Sequence, residues 1–123
     1  MPVERRIDPA GRVVILTVTG DIDDRDLLGL ADHLEDEPRV DPDFSLLIDL
    51  REAHGQKVTT AGVYRLVERT LIMSATSRRA VVVDSDLGFG MTRMYEMLRT
   101  NRGGAPRVFR DYDDALRWVT TRT

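Results

Sequence analysis

Residues 44–62 read FSLLIDLREAHGQKVTTAG, and the reading of this stretch decides the fold. Phe44, Leu46, Leu47, Ile48 and Leu50 form a short apolar run interrupted by Ser45 and Asp49. Pro42-Asp43 bounds it before and Arg51-Glu52 after, so it reads as a strand buried on both faces. Residues 51–56 are polar and read as a loop. Thr59-Thr60 then opens a helix whose apolar face is Val63, Leu66, Val67, Thr70 and Leu71. The chain is expected to leave the core, expose a loop and re-enter through a helix N-terminus. In parallel α/β sheets, loops at the C-terminal ends of strands are where ligands and partners are usually met.

Working back from that strand, residues 3–7 suit a short edge strand, and Asp8-Pro9-Ala10-Gly11 is a tight-turn signal. Residues 13–18 are β-branched and almost wholly apolar, so the two segments are predicted to pair as an antiparallel hairpin ended by Gly20. Asp21, Asp23 and Asp24 offer N-caps. Leu27, Leu30, Ala31 and Leu34 fall at helical spacing, which predicts one helix over residues 24–37, stopped by Pro38. Working forward, residues 74–77 are a small polar connection, and residues 79–83 form a third buried strand around Val81, Val82 and Val83. Asp84-Ser85-Asp86 caps a helix with the face Met91, Met94, Tyr95 and Leu98. Residues 101–106 break it. A short last strand, residues 107–110, precedes a final helix that starts at Asp111 and buries Ala115, Trp118 and Val119. The order β-β-α-β-α-β-α-β-α predicts an α/β domain with a mixed, mostly parallel sheet.

The chain has 123 residues, the size of one domain with a sufficient core of its own. It contains no cysteine, which excludes disulfides and thiolate metal sites. No apolar run approaches the ~20 residues that span a bilayer. The N-terminal MPVERRIDPAGR lacks the apolar core of a signal peptide, so a soluble, cytoplasmic protein is expected. With 21 acidic and 18 basic residues the net charge is -3, which gives no basic footprint for nucleic acid.

Four segments at the predicted sheet edge are rich in charge: residues 20–24, residues 51–56 with Arg51 and His54, Asp84-Ser85-Asp86, and Arg110-Asp111. Carboxylates there suit a divalent cation, but no fixed ligand spacing supports one, and each aspartate cluster stands before a helix where capping residues belong. No metal or cofactor is expected. Histidine is the side chain whose unperturbed pKa lies near working pH, so His54 suits a general base. No Ser or Cys nucleophile motif accompanies it, so no catalytic residue is assigned. Gly88-Phe89-Gly90-Met91-Thr92-Arg93 carries two of the three glycines of the dinucleotide fingerprint and lacks the third. Arg93, one turn on, is a candidate anion contact; an irregular first turn packed on the sheet is the simpler expectation. Phe89 and Met97 exceed what one sheet-facing stripe needs and suit either the edge of the core or a pocket or dimer surface; a homodimer is expected.

The element order, the strand LLIDL and the loop leading to a Thr-rich helix start resemble the STAS domain, the fold of the sporulation anti-sigma-factor antagonists. The stretch RRAVVVDSDLGFGMTRMYEML resembles a bacterial group of small stand-alone STAS-like proteins of uncharacterised function. This likeness spans nearly the whole chain. It implies helices mainly on one face of the sheet and a non-enzymatic regulatory or protein-interaction module. The alternative it leaves open is a carrier of a small apolar or anionic ligand, a lipid or a nucleotide. A hydrolase using His54 ranks third. The antagonists carry an Asp-Ser-Ser-Gly-type motif whose serine accepts a phosphate. The matching segment here is Val58-Thr59-Thr60-Ala61-Gly62, with Val58 in the place of the aspartate and no serine. The likeness makes Thr60, then Thr59, the candidate phosphoacceptor. Helix capping by one of them is the simpler expectation. The candidate ligand or partner edge comprises Arg51, His54, Asp84, Asp86, Gly88, Phe89, Gly90 and Arg93.

Overall fold

In a computed structural model, residues 3–69, 73–74, 77–100 and 106–121 are described. The expectations for Thr70, Leu71 and residues 101–105 lie outside them. Strand β1 (Val3–Asp8) turns into β2 (Val13–Asp23), followed by two short helices, α1 (Asp24–Gly29) and α2 (Asp32–Glu35). Then come β3 (Ser45–Lys57), α3 (Thr60–Glu68), β4 (Arg79–Val82), α4 (Asp86–Arg99), β5 (Arg107–Phe109) and α5 (Tyr112–Thr120). The sheet order is β1-β2-β3-β4-β5, with β1 antiparallel to β2 and every other pair parallel. The predicted α/β order and mixed, mostly parallel sheet are therefore observed.

The hairpin forms where the turn chemistry placed it. The Asp8 carboxylate accepts from Gly11 N at 3.1 Å, and Arg12 takes a positive φ of 54° as the turn closes. Successive side chains in β2 and β3 point to opposite faces, and both faces are apolar. On one side Val13, Ile15, Leu47, Ala80 and Val82 are buried beneath Ala115 and Val119 of α5. On the other, Val14, Leu16 and Leu46 pack against Leu34 of α2, and Val18 and Ile22 against Leu30. Helices α1 to α4 share this second side, so the helices lie mainly on one face.

Three differences from the expected bounds exceed a residue at one end and bear on the site. The first helix is broken: α1 ends at Gly29, α2 begins at Asp32, and no side chain caps α2. Leu30 and Leu34 still reach the sheet, so apolar burial is kept while helical continuity is lost. The second strand does not end at Gly20, which sits inside β2 at φ 83° between two register shifts, Thr17/Thr19 and Asp21/Asp23. Most consequential, residues 51–56 are strand rather than loop. Thr19, Gly20, Asp21 and Asp23 pair in parallel with Glu52, Ala53, His54 and Lys57. Strand β1 reaches only Val18, and β4 pairs no further than Asp49. The ends of β2 and β3 therefore project beyond their neighbours as a two-stranded ribbon. Polar residues are tolerated there because one face of the ribbon meets solvent.

Candidate functional site

The four helices do not fill the space over the sheet. A cavity of about 140 Å³ remains between them and the strands. Leu16, Ile48, Leu50, Val81 and Val83 form its floor, and Leu27, Val63, Leu66 and Met91 its roof. The ribbon contributes a wall through Ile22, Ala53 and Gly55. Its origin lies in side-chain size and helix length. Ala31, Ala53, Gly55 and Gly88 line it where longer side chains would occupy it, and α1 stops after six residues. Leu87 lines it and is 46% exposed, which places its mouth at the first turn of α4.

Polar groups gather at its far end. Arg79 heads β4 with its side chain on the α4 side and donates to the carbonyls of Met73 and Ser74 at 3.0 and 3.3 Å. Burial lowers its pKa; the nearby Tyr95 opposes that effect, and Arg99 adds to it. Burial likewise raises the Tyr95 phenol, against the pull of Arg99 and Arg79, so Tyr95 stays a protonated donor.

The helix start after β3 is organised by a carboxylate from another element. Thr59 is the N-cap of α3, accepting from Gly62 N at 3.1 Å. Asp24, the first residue of α1, accepts from Thr59 N at 2.8 Å and from the Thr59 hydroxyl at 2.5 Å. A Cβ on Gly62 would lie 2.2 Å from Asp24 Oδ1, so the absence of a side chain at position 62 admits this carboxylate. The hydroxyl and then the backbone N–H of Thr59 hold the Asp24 carboxyl below its ordinary value. Thr60, the preferred candidate acceptor, is exposed in the first turn and is not the cap.

The other predicted edge residues divide into small groups. Arg51 clasps the buried Asp49 through two bonds of 2.9 Å and lies 4.7 Å from the Tyr112 ring, on the α5 side of the sheet. For Asp49 burial opposes ionisation, yet the bonds from Arg51 leave its pKa lowered. Asp86 pairs with Arg110 at 2.8 Å, and Arg110 in turn covers the half-buried Phe89 ring at 4.9 Å. Asp84 is exposed beside them. Gly88 and Gly90 belong to a regular helix capped by Ser85, not to an irregular turn or a phosphate loop. Gly88 allows α4 to approach Val83, whose Cβ would be 3.4 Å from an added Cβ; no such neighbour exists at Gly90. Arg93 is ion-paired with Glu96. His54 stands apart on the ribbon, 3.4 Å from Asp21 with both side chains exposed. Among the described residues no group of three or more metal-ligating side chains occurs, and no helix is long and apolar enough to cross a membrane.

Sequence reasoning marked most of the apolar lining as core-facing but did not separate a filled core from a hollow one. It passed over Arg79 and Thr92, and it placed Asp24 among the N-cap candidates of α1 rather than at the start of α3. A charged residue heading an apolar strand was the available signal for the first. A threonine between Met91 and Tyr95 on the buried helix face was the signal for the second.

The fold is shared with a solved structure from Shewanella loihica PV-4, described as an uncharacterized protein of the DUF3478 family with a SpoIIAA-like fold. The two superpose with a TM-score of 0.61 at 18% identity, covering 96% of this chain and 92% of the other. The chain thus has a SpoIIAA-like fold, that of the STAS domains. No family model and no curated protein matches the sequence.

Proposed function

We propose that this chain is a non-enzymatic STAS-type regulatory module whose input is a small, mainly apolar ligand held between the sheet and helices α1, α3 and α4. The cavity carries this reading. Its volume of about 140 Å³ is comparable with the engineered cavity of about 150 Å³ that binds benzene. Apolar walls with a few convergent polar groups are the usual composition of small-molecule sites. The position of Val58 supports it: where the antagonists carry an acid before their phosphoacceptor, this chain places an apolar residue that lines the cavity. A hydrolytic reading built on His54 has less support, because His54 is solvent-exposed on the ribbon with Asp21 and away from the cavity.

Native mass spectrometry of the protein purified from its own cells tests this. The expected result is a retained molecule that raises the mass above 13.9 kDa, together with uptake of toluene by the stripped protein. Failure to take up any small apolar probe, with a protein partner captured regardless, would favour a module without a ligand.

A further inference from the structure

The cavity proposed as the ligand site has one chemically distinct end. The lining residues with donor side chains are Arg79, Ser85, Thr92 and Tyr95, and among the described residues no Asp or Glu lines it. Ser85 belongs to the mouth, where its hydroxyl accepts from Gly88 N at 3.0 Å and caps α4. Arg79 and Tyr95 lie near enough to each other to interact, and Thr92 stands one turn before Tyr95 on α4. Helix α4 runs back over β4 from that cap, so Thr92 and Tyr95, three positions apart on one helix face, stand over the strand that Arg79 begins. Tyr95 is within electrostatic reach of both Arg79 and Arg99.

Thr92 is the informative residue. It is only 8% exposed, and its hydroxyl has no hydrogen bond among the described residues. Thr100 and Thr120, by contrast, bond back to the carbonyls of Glu96 and Leu116. The Thr92 oxygen is also not sealed off by protein, so it opens onto the cavity it lines. An accessible hydroxyl with no protein partner in a cavity wall is free to donate to a ligand acceptor. Arg79 is held in place by its two carbonyl contacts and brings a positive charge into the same wall.

We infer that the ligand is a small monocarboxylate with an aryl or short alkyl tail, its carboxylate accepting from Thr92 and Tyr95 and facing Arg79. The tail fills the apolar part of the cavity, which has room for about one benzene ring. An acceptor head suits this end because Arg79 can only donate and the Thr92 and Tyr95 hydroxyls can both donate to it, and a negative one is favoured because the nearby charges are positive. This rests on the reading of the cavity as a ligand site.

Calorimetric titration of the full chain with benzoate and with toluene tests it, using wild type, Thr92→Val and Tyr95→Phe, each checked for an unchanged melting temperature. Wild type is expected to bind both probes. Either substitution should weaken benzoate by about tenfold or more, since each removes a bond to a charged group, while shifting toluene by less than about twofold. Toluene binding without benzoate binding, or benzoate binding undiminished in a folded variant, would overturn the carboxylate and leave the apolar site standing. Binding of neither probe would overturn the site itself.

Discussion

Thr59 serves two elements at once. Its hydroxyl oxygen accepts from Gly62 N to cap α3, and its proton and backbone N–H both go to Asp24 of α1. Phosphorylation at this oxygen would remove its proton and bring negative charge against the Asp24 carboxylate, so an exposed acceptor in this segment is better placed at Thr60. Thr59→Ala should cost about 1 kcal/mol from the cap alone, with Thr60→Ala costing less, as measured by urea denaturation near neutral pH. The sign of the pH dependence follows from Asp24. Its folded pKa is depressed by Thr59, so the stability from this contact is complete above the ordinary value of 3.8 and is lost as pH falls through the lower folded value. The deficit of Thr59→Ala should therefore narrow when the same denaturation is run progressively below that pH. A gap that stays constant with pH would remove Asp24 from the account.

Between elements, the same cluster ties α1 to α3 across the cavity that both helices roof. Alanine at Gly62 would occupy the position of the Asp24 carboxyl. The Asp24 side chain can swing away, but only by giving up its bonds to Thr59, which are the direct hydrogen bonds joining the two helix starts. Gly62→Ala is therefore expected to destabilise in the wild-type background and to cost distinctly less when Asp24→Ala is already present. A double-mutant cycle reads this coupling, and additive effects would show that the glycine serves something other than the carboxylate. Two short helices with one shared tether also suit a roof that must admit a ligand, because neither α1 nor α2 is long enough to be stable without its packing.

Across the whole molecule the two faces of the sheet are unequal. The α5 side is closely packed: Leu47, Ala80, Val82, Ala115 and Val119 are all fully buried. Trp118 is held there between Arg78, Arg107 and Phe109. The side under α1 to α4 is hollow. Leu47→Ala should cost about 2–5 kcal/mol in thermal or urea denaturation, since it opens a void among fully buried side chains. Leu66→Ala, which only widens an existing cavity from a half-buried position, should fall below that range. Equal losses at the two sites would mean that the cavity is filled in the folded protein. On the outside, Leu87 and Met97 of α4 and Tyr64 of α3 remain exposed.

The alternation of elements, most of their caps and most of the apolar stripes are legible in the sequence alone. Each of these is a local property: the β-branched run at 13–18, the turn at Asp8-Pro9-Ala10-Gly11, and Asp111 accepting from Asp114 N at 2.9 Å are set by neighbours within a few positions. Tertiary structure decided the rest. Residues 51–57 became strand because the end of β2 was there to pair with them, although their composition reads as loop. The choice between Thr59 and Thr60 as cap is reinforced by Asp24, which lies far away in the chain. The cavity is a difference between the space that seven elements enclose and the volume of the side chains within it. No residue carries that difference in its own identity, so only the packed molecule shows it.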